Sequence, residues 1–228
     1  MDYIFNPAPQ SFIPIEGSDQ AFPVRRVYCV GRNYAEHARE MGHDPDRDPP
    51  FFFQKNPNNL LLGNSDFPYP AKTKDVHHEI ELVVGLKNGG TDLSLAEAKS
   101  CIFGYAVGID MTRRDLQGEM KKLGRPWEIG KAFEHSAPCT NMVPVETCGL
   151  IETSEIWLDV NGERKQTGKI EQMIWNIEET ISYLSGLFEL AAGDIIMTGT
   201  PAGVGPVQRG DLIQGFVEGV GQIDCKVV

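Results

Sequence analysis

Positive charge is scarce in this 228-residue chain, where 21 Lys and Arg stand against 32 Asp and Glu for a formal net charge of −11. Nucleic acids and anionic membranes are bound through clustered cations, so this balance argues against both as partners. A small anionic substrate stays open, because a few local cations or one metal ion reverse the field inside a pocket. Long apolar runs are missing as well. No stretch approaches the ~18 consecutive apolar residues of a membrane span, and the opening Met1-Asp-Tyr-Ile-Phe-Asn-Pro-Ala-Pro9 has neither the basic head nor the apolar run of a secretory signal. Cysteine is sparse and scattered: Cys29, Cys101, Cys139, Cys148 and Cys225 are odd in number and form no CxxC pair. That excludes a disulfide framework and a thiolate zinc site, and it reads as the reduced thiols of a cytoplasmic protein. There is no GxSxG elbow and no GK[ST], and no cysteine sits in a nucleophile context.

What is present is ordinary globular material, 41% hydrophobic and 23% charged. A domain of this size buries about 70–75% of the surface its unfolded chain exposes, so its core needs no staple. Residues 1–24 read as a Pro-rich, irregular extension to a single domain at 25–228. Arg26–Gly31 reads as a buried strand, followed by a short helix with Asn33 as N-cap, Glu36 as its capping-box partner and Gly42 as its stop. Strands are expected at Phe51–Lys55, His78–Gly85, Gly104–Asp110 and Ile195–Pro201, with two more between Asp211 and Val228. Ile156-Trp-Leu-Asp-Val160 before Asn161-Gly162 is a type I′ hairpin signal. Helices are expected from a Ser94 cap to Cys101 and, by apolar spacing, across 171–189. Strands outnumber helices without regular alternation, which makes the fold class α+β.

Three places could carry chemistry. Glu79-Ile80-Glu81 puts two carboxylates on one strand face, with Ile80, Leu82 and Val84 on the other. An isolated Glu-x-Glu is ordinarily a solvent-facing edge. Here, however, the strand Gly104–Asp110 carries Phe103, Tyr105, Val107 and Ile109 on one face and Gly104, Ala106, Gly108 and Asp110 on the other. Strand glycines often mark the close approach of a ligand or another backbone. If the two strands converge, Glu79, Glu81 and Asp110 supply three hard oxygen ligands suited to Mg²⁺, Mn²⁺ or Ca²⁺. His77 and His78 could suggest zinc instead, but their adjacency puts them on opposite faces. Second, His37 and Glu40, at i and i+3 of one helix turn, form either a surface pair or a carboxylate-oriented general base. The loop after them, at 43–50, would make the segment Asn33–Pro50 a lid. Third, Met197-Thr-Gly-Thr-Pro-Ala-Gly-Val-Gly205 is either a plain turn or a loop offering backbone N–H groups and a hydroxyl to a carboxylate. Lys131, among apolar neighbours, is either a solvated lysine or a partly buried cation.

Val30-Gly-Arg-Asn-Tyr-Ala-Glu-His37, His78-Glu-Ile-Glu81, Gly108-Ile-Asp-Met-Thr112 with Arg114-Asp-Leu-Gln117, Gly130-Lys131 and Thr198-Gly-Thr-Pro-Ala-Gly-Val-Gly205 occur in this order over about residues 25–228. This ordered set resembles the fumarylacetoacetate hydrolase family in its short single-domain branch. The first ~25 residues and Phe51-Phe-Phe are most similar to its bacterial fumarylpyruvate-cleaving members of the gentisate pathway.

The resemblance implies a mixed β-roll with flanking helices, a homodimer, and one Mg²⁺ or Mn²⁺ per subunit on Glu79, Glu81 and Asp110. It implies His37 with Glu40 as the water-activating pair and Lys131 as the oxyanion stabiliser. Arg32, Arg114, Gln117 and Thr200 would bind a small anionic 2-oxo acid, and Lys55 would line the entrance. One departure is Asn56, which stands between Lys55 and Pro57 where the family pattern has Pro directly after Lys. The implied reaction is hydrolysis of an acylpyruvate, 3-fumarylpyruvate giving fumarate and pyruvate. Oxaloacetate decarboxylation, 2-oxo acid isomerisation or tautomerisation, and a non-catalytic dimeric binding protein are the rivals.

Overall fold

The computed structural model describes residues 2–40 and 48–228. Among them the largest sheet has eight strands, running in the order Phe51–Lys55, Arg26–Gly31, Asp194–Met197, Ile80–Leu86, Ile102–Ile109, Ala137–Cys139, Leu60–Leu62, with Val143–Pro144 also paired to Ile102–Ile109. It is mixed, since Arg26–Gly31 runs parallel to Asp194–Met197 and antiparallel to Phe51–Lys55. A four-stranded antiparallel meander (Glu163–Lys169, Glu155–Val160, Leu212–Val217, Gly221–Lys226) packs over one face. A three-stranded ribbon joins Gly205–Val207, Val76–His78 and Thr112–Arg113.

Period-two alternation divides the central strands between two cores. Ile80, Leu82, Val84, Tyr105, Val107 and Ile109 meet Ile156, Leu158, Ile213, Val217 and Ile223 of the meander in the main cluster. Val83 and Ala106, pointing the other way, join Val27, Cys29, Ile195 and Met197 in a second cluster with Ile13, Phe22 and Val24. Fully burying each such aliphatic side chain contributes about 1.5–3 kcal/mol. Because both faces are covered, every residue of Ile80–Leu86 is buried. The N-terminal residues expected to be irregular supply part of that cover: Phe12–Pro14 pairs with Ala21–Pro23 and inserts Ile13 and Phe22.

Several local expectations hold. Asn161 and Gly162 take φ of 54° and 78°, as a type I′ turn requires, and Ser94 caps Leu95–Ser100 in a capping box with Glu97. Others are corrected. The helix expected across 171–189 is confined to Ile177–Ser185, because Asn176 caps it through Glu179 and a 3₁₀ turn, Ile170–Gln172, precedes it. Phe103 does not share a face with Tyr105. The register shifts beside Gly85, and its ring swings to Phe22, 5.3 Å between centroids. Gly104 and Gly108 make room for protein: a Cβ would collide with the Val143 carbonyl at the first and the Val83 side chain at the second.

The main correction concerns the strand expected at His78–Gly85. It is broken at Glu79, where the chain leaves the three-stranded ribbon (Val76–His78) and enters the large sheet (Ile80–Leu86). Its antiparallel neighbour breaks alongside, with Ile102–Ile109 in the large sheet, Thr112–Arg113 in the ribbon, and Asp110 between them. Asp110 N–H donates to the Glu79 carbonyl at 2.8 Å. Both carboxylates therefore stand at the seam where two sheets part.

Candidate metal and active site

Glu79, Glu81 and Asp110 are buried, and one ligand oxygen from each lies within 4.8 Å of the others. Three carboxylates so close in low dielectric repel one another unless cations intervene, and protein cations do part of this work. Lys131 Nζ donates to Glu79 Oε2 at 2.9 Å, to Asp110 Oδ2 at 2.6 Å and to Thr112 Oγ1 at 2.7 Å. Arg114 donates to Glu79 Oε1 and, at 2.6 Å, to Gln117 Oε1. Burial alone would raise the Glu79 carboxyl, but Lys131, Arg114 and His37 outweigh it and hold it well below the carboxylate range. Burial likewise works against the Lys131 ammonium, and Asp110 and Glu79 more than restore it. Among the described residues Glu81 is bonded to no such ammonium: burial, then Asp110 and Glu79, push its carboxyl well up, and the Gly199 N–H at 2.8 Å offsets only part of that.

The triad fits a hard divalent cation. Its donors are all oxygens. Asp110 Oδ1, fully buried, accepts no hydrogen bond. Lys55 Nζ lies 2.8 Å away from it as an ion partner but donates to the Met111 and Lys131 carbonyls. Asp110 Oδ1 is thus ion-paired yet accepts no hydrogen, which leaves a lone pair open to a metal ion.

The same cavity is lined by Arg32, His37, Phe51, Phe53, Glu79, Glu81, Arg114, Gln117, Lys121, Trp127, Lys131 and Thr200. The structure thus brings together along this lining all the residues expected from the sequence except Lys55 and Asp110, which are buried, and Glu40, which is exposed. Lys55 is not at the entrance. At 2% exposure it sits behind Asp110, because the strand Phe51–Lys55 turns its last residue inward before the Pro57–Asn59 turn. Glu40 pairs with His37 Nδ1 at 3.2 Å.

Asn33 is not the N-cap of the helix Ala35–Glu40. Its amide instead links Trp175 N–H and carbonyl to the Thr198 carbonyl, tying the helix entry to the sheet. The loop after Met197 also departs from expectation. Its N–H groups hold protein carboxylates: Gly199 (φ 99°) holds Glu81, and Gly203 (φ 94°) holds Glu40, with both oxygens at 3.2 Å. Positive φ at both positions is what glycine supplies. Residues 41–47, with Gly42 and much of the expected lid, lie outside the described residues.

Lys121 and Trp127, which line the cavity, and Gln166, which is bonded to Thr200, are not among the residues singled out from the sequence. Lys121 falls at i+7 from Arg114 and i+4 from Gln117 on the helix Arg114–Lys122, so helical spacing could have found it. Trp127 packs edge-on against Phe51 with centroids 5.4 Å apart. Gln166 is buried on the inner face of the Asn161-Gly162 hairpin, opposite Leu158, and the fixed hairpin register could have placed it there.

The fumarylacetoacetate hydrolase C-terminal model matches residues 26–228, and the chain belongs to the fumarylacetoacetate hydrolase family. A crystal structure of fumarylpyruvate hydrolase from Pseudomonas aeruginosa in complex with Mn²⁺ and pyruvate is similar over 100% of this chain and 99% of that one, with 50% identity and a TM-score of 0.97. Fumarylpyruvate hydrolase from Ralstonia sp is 41% identical over 189 residues, 82% of this chain and 98% of its own length. A mitochondrial oxaloacetate tautomerase from Bos taurus is 42% identical over 203 residues, 89% of this chain and 91% of its own length.

Proposed function

We propose that this chain is a divalent-metal-dependent hydrolase that cleaves the C–C bond of an acylpyruvate, with 3-fumarylpyruvate giving fumarate and pyruvate. By family resemblance it would act as a cytoplasmic homodimer in gentisate catabolism. The observation that carries the reading is an imidazole held by a carboxylate on the wall of the cavity that two members of the three-carboxylate cluster, Glu79 and Glu81, also line. With Nδ1–H donated to Glu40, His37 keeps its Nε2 lone pair for a proton of water, and Glu40 stabilises the imidazolium that forms. Water then adds to the distal carbonyl of the 1,3-diketo acid. The bond between that carbon and the methylene breaks, and the electron pair leaves with the pyruvate fragment, which takes up a proton.

Glu79, Glu81 and Asp110 would hold a Mg²⁺ or Mn²⁺, which when bound would supply Lewis-acid neutralisation of the charge gathered by the 2-oxo acid. Lys131 has all three N–H donors committed, so a substrate oxyanion draws on it by replacing one bond. Thr112, the neutral acceptor, is the least costly to exchange. Arg32, Arg114 and Lys121 give the cavity a cationic rim for an anionic substrate.

Oxaloacetate tautomerisation is the second reading, favoured by the Bos taurus relative. The test is turnover of fumarylpyruvate and of oxaloacetate by the Mn²⁺-loaded protein. Metal-dependent release of fumarate and pyruvate supports the hydrolase. Enol–keto interconversion of oxaloacetate without cleavage of any acylpyruvate contradicts it.

A further inference from the structure

Gln166 uses every hydrogen-bonding position of its side-chain amide. Oε1 accepts from His78 Nδ1 at 3.0 Å and from the Ile80 backbone N–H at 3.1 Å. Nε2 donates to Thr200 Oγ1 at 2.7 Å and to the Pro201 carbonyl at 2.8 Å. The orientation of the amide follows from the chemistry of its partners, because a backbone N–H can only donate and a backbone carbonyl can only accept. Ile80 and Pro201 therefore fix which end is oxygen and which is nitrogen. Thr200 Oγ1 must then be an acceptor from Gln166, and among the described residues it has no other partner. Its own proton is left for the cavity that Thr200 lines together with His37, Glu79 and Glu81.

We propose that Gln166 is a positioning residue. By donating to Thr200 Oγ1 it sets the polarity of that hydroxyl, so that Thr200 serves as a hydrogen-bond donor to an anionic oxygen of the bound 2-oxo acid. The proposal rests on the 2-oxo acid reading above. Gln166 is far enough back to touch no ligand, and it acts through Thr200. Its two acceptor bonds, to the residues on either side of Glu79, anchor the amide to the seam. The hydroxyl is thereby oriented before any ligand arrives, which is the condition under which a donor costs nothing to reorganise.

The discriminating variant is Gln166→Glu. Its carboxylate still accepts from His78 and Ile80 but cannot donate, so the Thr200 hydroxyl turns its proton back toward residue 166. The probe is pyruvate, titrated calorimetrically into the Mn²⁺-loaded protein, with Mn²⁺ affinity measured separately. Loss of one hydrogen bond to a charged group corresponds to about tenfold or more in affinity. Gln166→Glu and Thr200→Val should each weaken pyruvate about tenfold while leaving Mn²⁺ affinity unchanged. Thr200→Ser should bind as the wild type does, and the double variant Gln166→Glu/Thr200→Val should be no weaker than either single one.

Wild-type pyruvate affinity in Gln166→Glu, a parallel loss of Mn²⁺ affinity, or losses that multiply in the double variant would overturn the assignment. Should Gln166→Glu not fold, undiminished affinity in Thr200→Val overturns it alone. A wild-type protein that does not bind pyruvate overturns the 2-oxo acid reading together with this inference. Binding that is indifferent to residue 166 overturns only the latter.

Discussion

Replacing Lys131 by Met deletes an ammonium from a site that contains three carboxylates and three cations of its own. Lys131, at 2% exposure, makes two charged hydrogen bonds and one neutral one, and Lys55 and Arg114 remain on the far sides of Asp110 and Glu79. Removing one member of a buried ionic cluster strands its partners, at a cost of about 3–5 kcal/mol. In a protein of this size each kcal/mol shifts the melting temperature by about 2–4 °C. Lys131→Met should therefore unfold roughly 6–20 °C below the wild type in EDTA. A cation bound to the triad supplies the missing charge without competing with an ammonium. Mn²⁺ should accordingly stabilise the variant more than the wild type, whose gain at 100-fold excess over Kd is about 2.7 kcal/mol. Thermal unfolding with EDTA and with Mn²⁺ measures both. Coincident melting in EDTA, or a smaller Mn²⁺ gain in the variant, would refute the view that Lys131 balances the carboxylates.

Gly203→Ala should strain the loop that holds Glu40, since a Cβ would collide with the Lys165 carbonyl at a φ of 94°. A cost of about 1–3 kcal/mol should appear as a lower melting temperature and a lower kcat, with Mn²⁺ affinity intact; an unchanged kcat would show that Glu40 needs no backbone support. Asp194 gives a pH test away from the site. Burial pushes its carboxyl up despite the Ala191 N–H and Arg25, so the folded state holds its proton above the ordinary value of about 3.9. Its contribution to stability is present below that value and is lost as pH rises through the raised one. The stability of Asp194→Asn relative to wild type should thus improve from pH 4 toward neutrality, and a difference independent of pH would contradict this.

The parts of the fold legible in the sequence are those fixed within a few residues. Asn161-Gly162 dictates its own turn, Ser94 and Glu97 their own cap, and Glu79, Glu81 and Asp110 were recognisable as convergent carboxylates because neighbouring strands are antiparallel. What escaped depends on distant partners. The break at Glu79 exists because Val76–His78 and Ile80–Leu86 find partners in different sheets. Lys55 is buried because Asp110 and two carbonyls, 55 or more residues away, receive it. Gly199 and Gly203 read as donors to a ligand, yet they serve Glu81, brought by the register of Asp194–Met197 beside Ile80–Leu86, and Glu40, brought by the helix that follows the parallel neighbour Arg26–Gly31. Asn33 had the sequence context of a helix cap, but Trp175 and Thr198, more than 140 residues away, outcompete the local N–H groups for its amide.

The most direct test of the central claim is His37→Ala, assayed on fumarylpyruvate and on oxaloacetate with Mn²⁺ affinity measured in parallel. Hydrolysis needs an activated water, and a general base typically contributes ~10²–10⁴-fold, whereas decarboxylating oxaloacetate draws chiefly on the cation. The account predicts that acylpyruvate cleavage falls by that factor, that any oxaloacetate decarboxylation falls far less, and that Mn²⁺ binds as before, while Asp110→Ala loses both activities and the metal together. Equal losses of kcat on the two substrates in His37→Ala, at unchanged Mn²⁺ affinity, would contradict it.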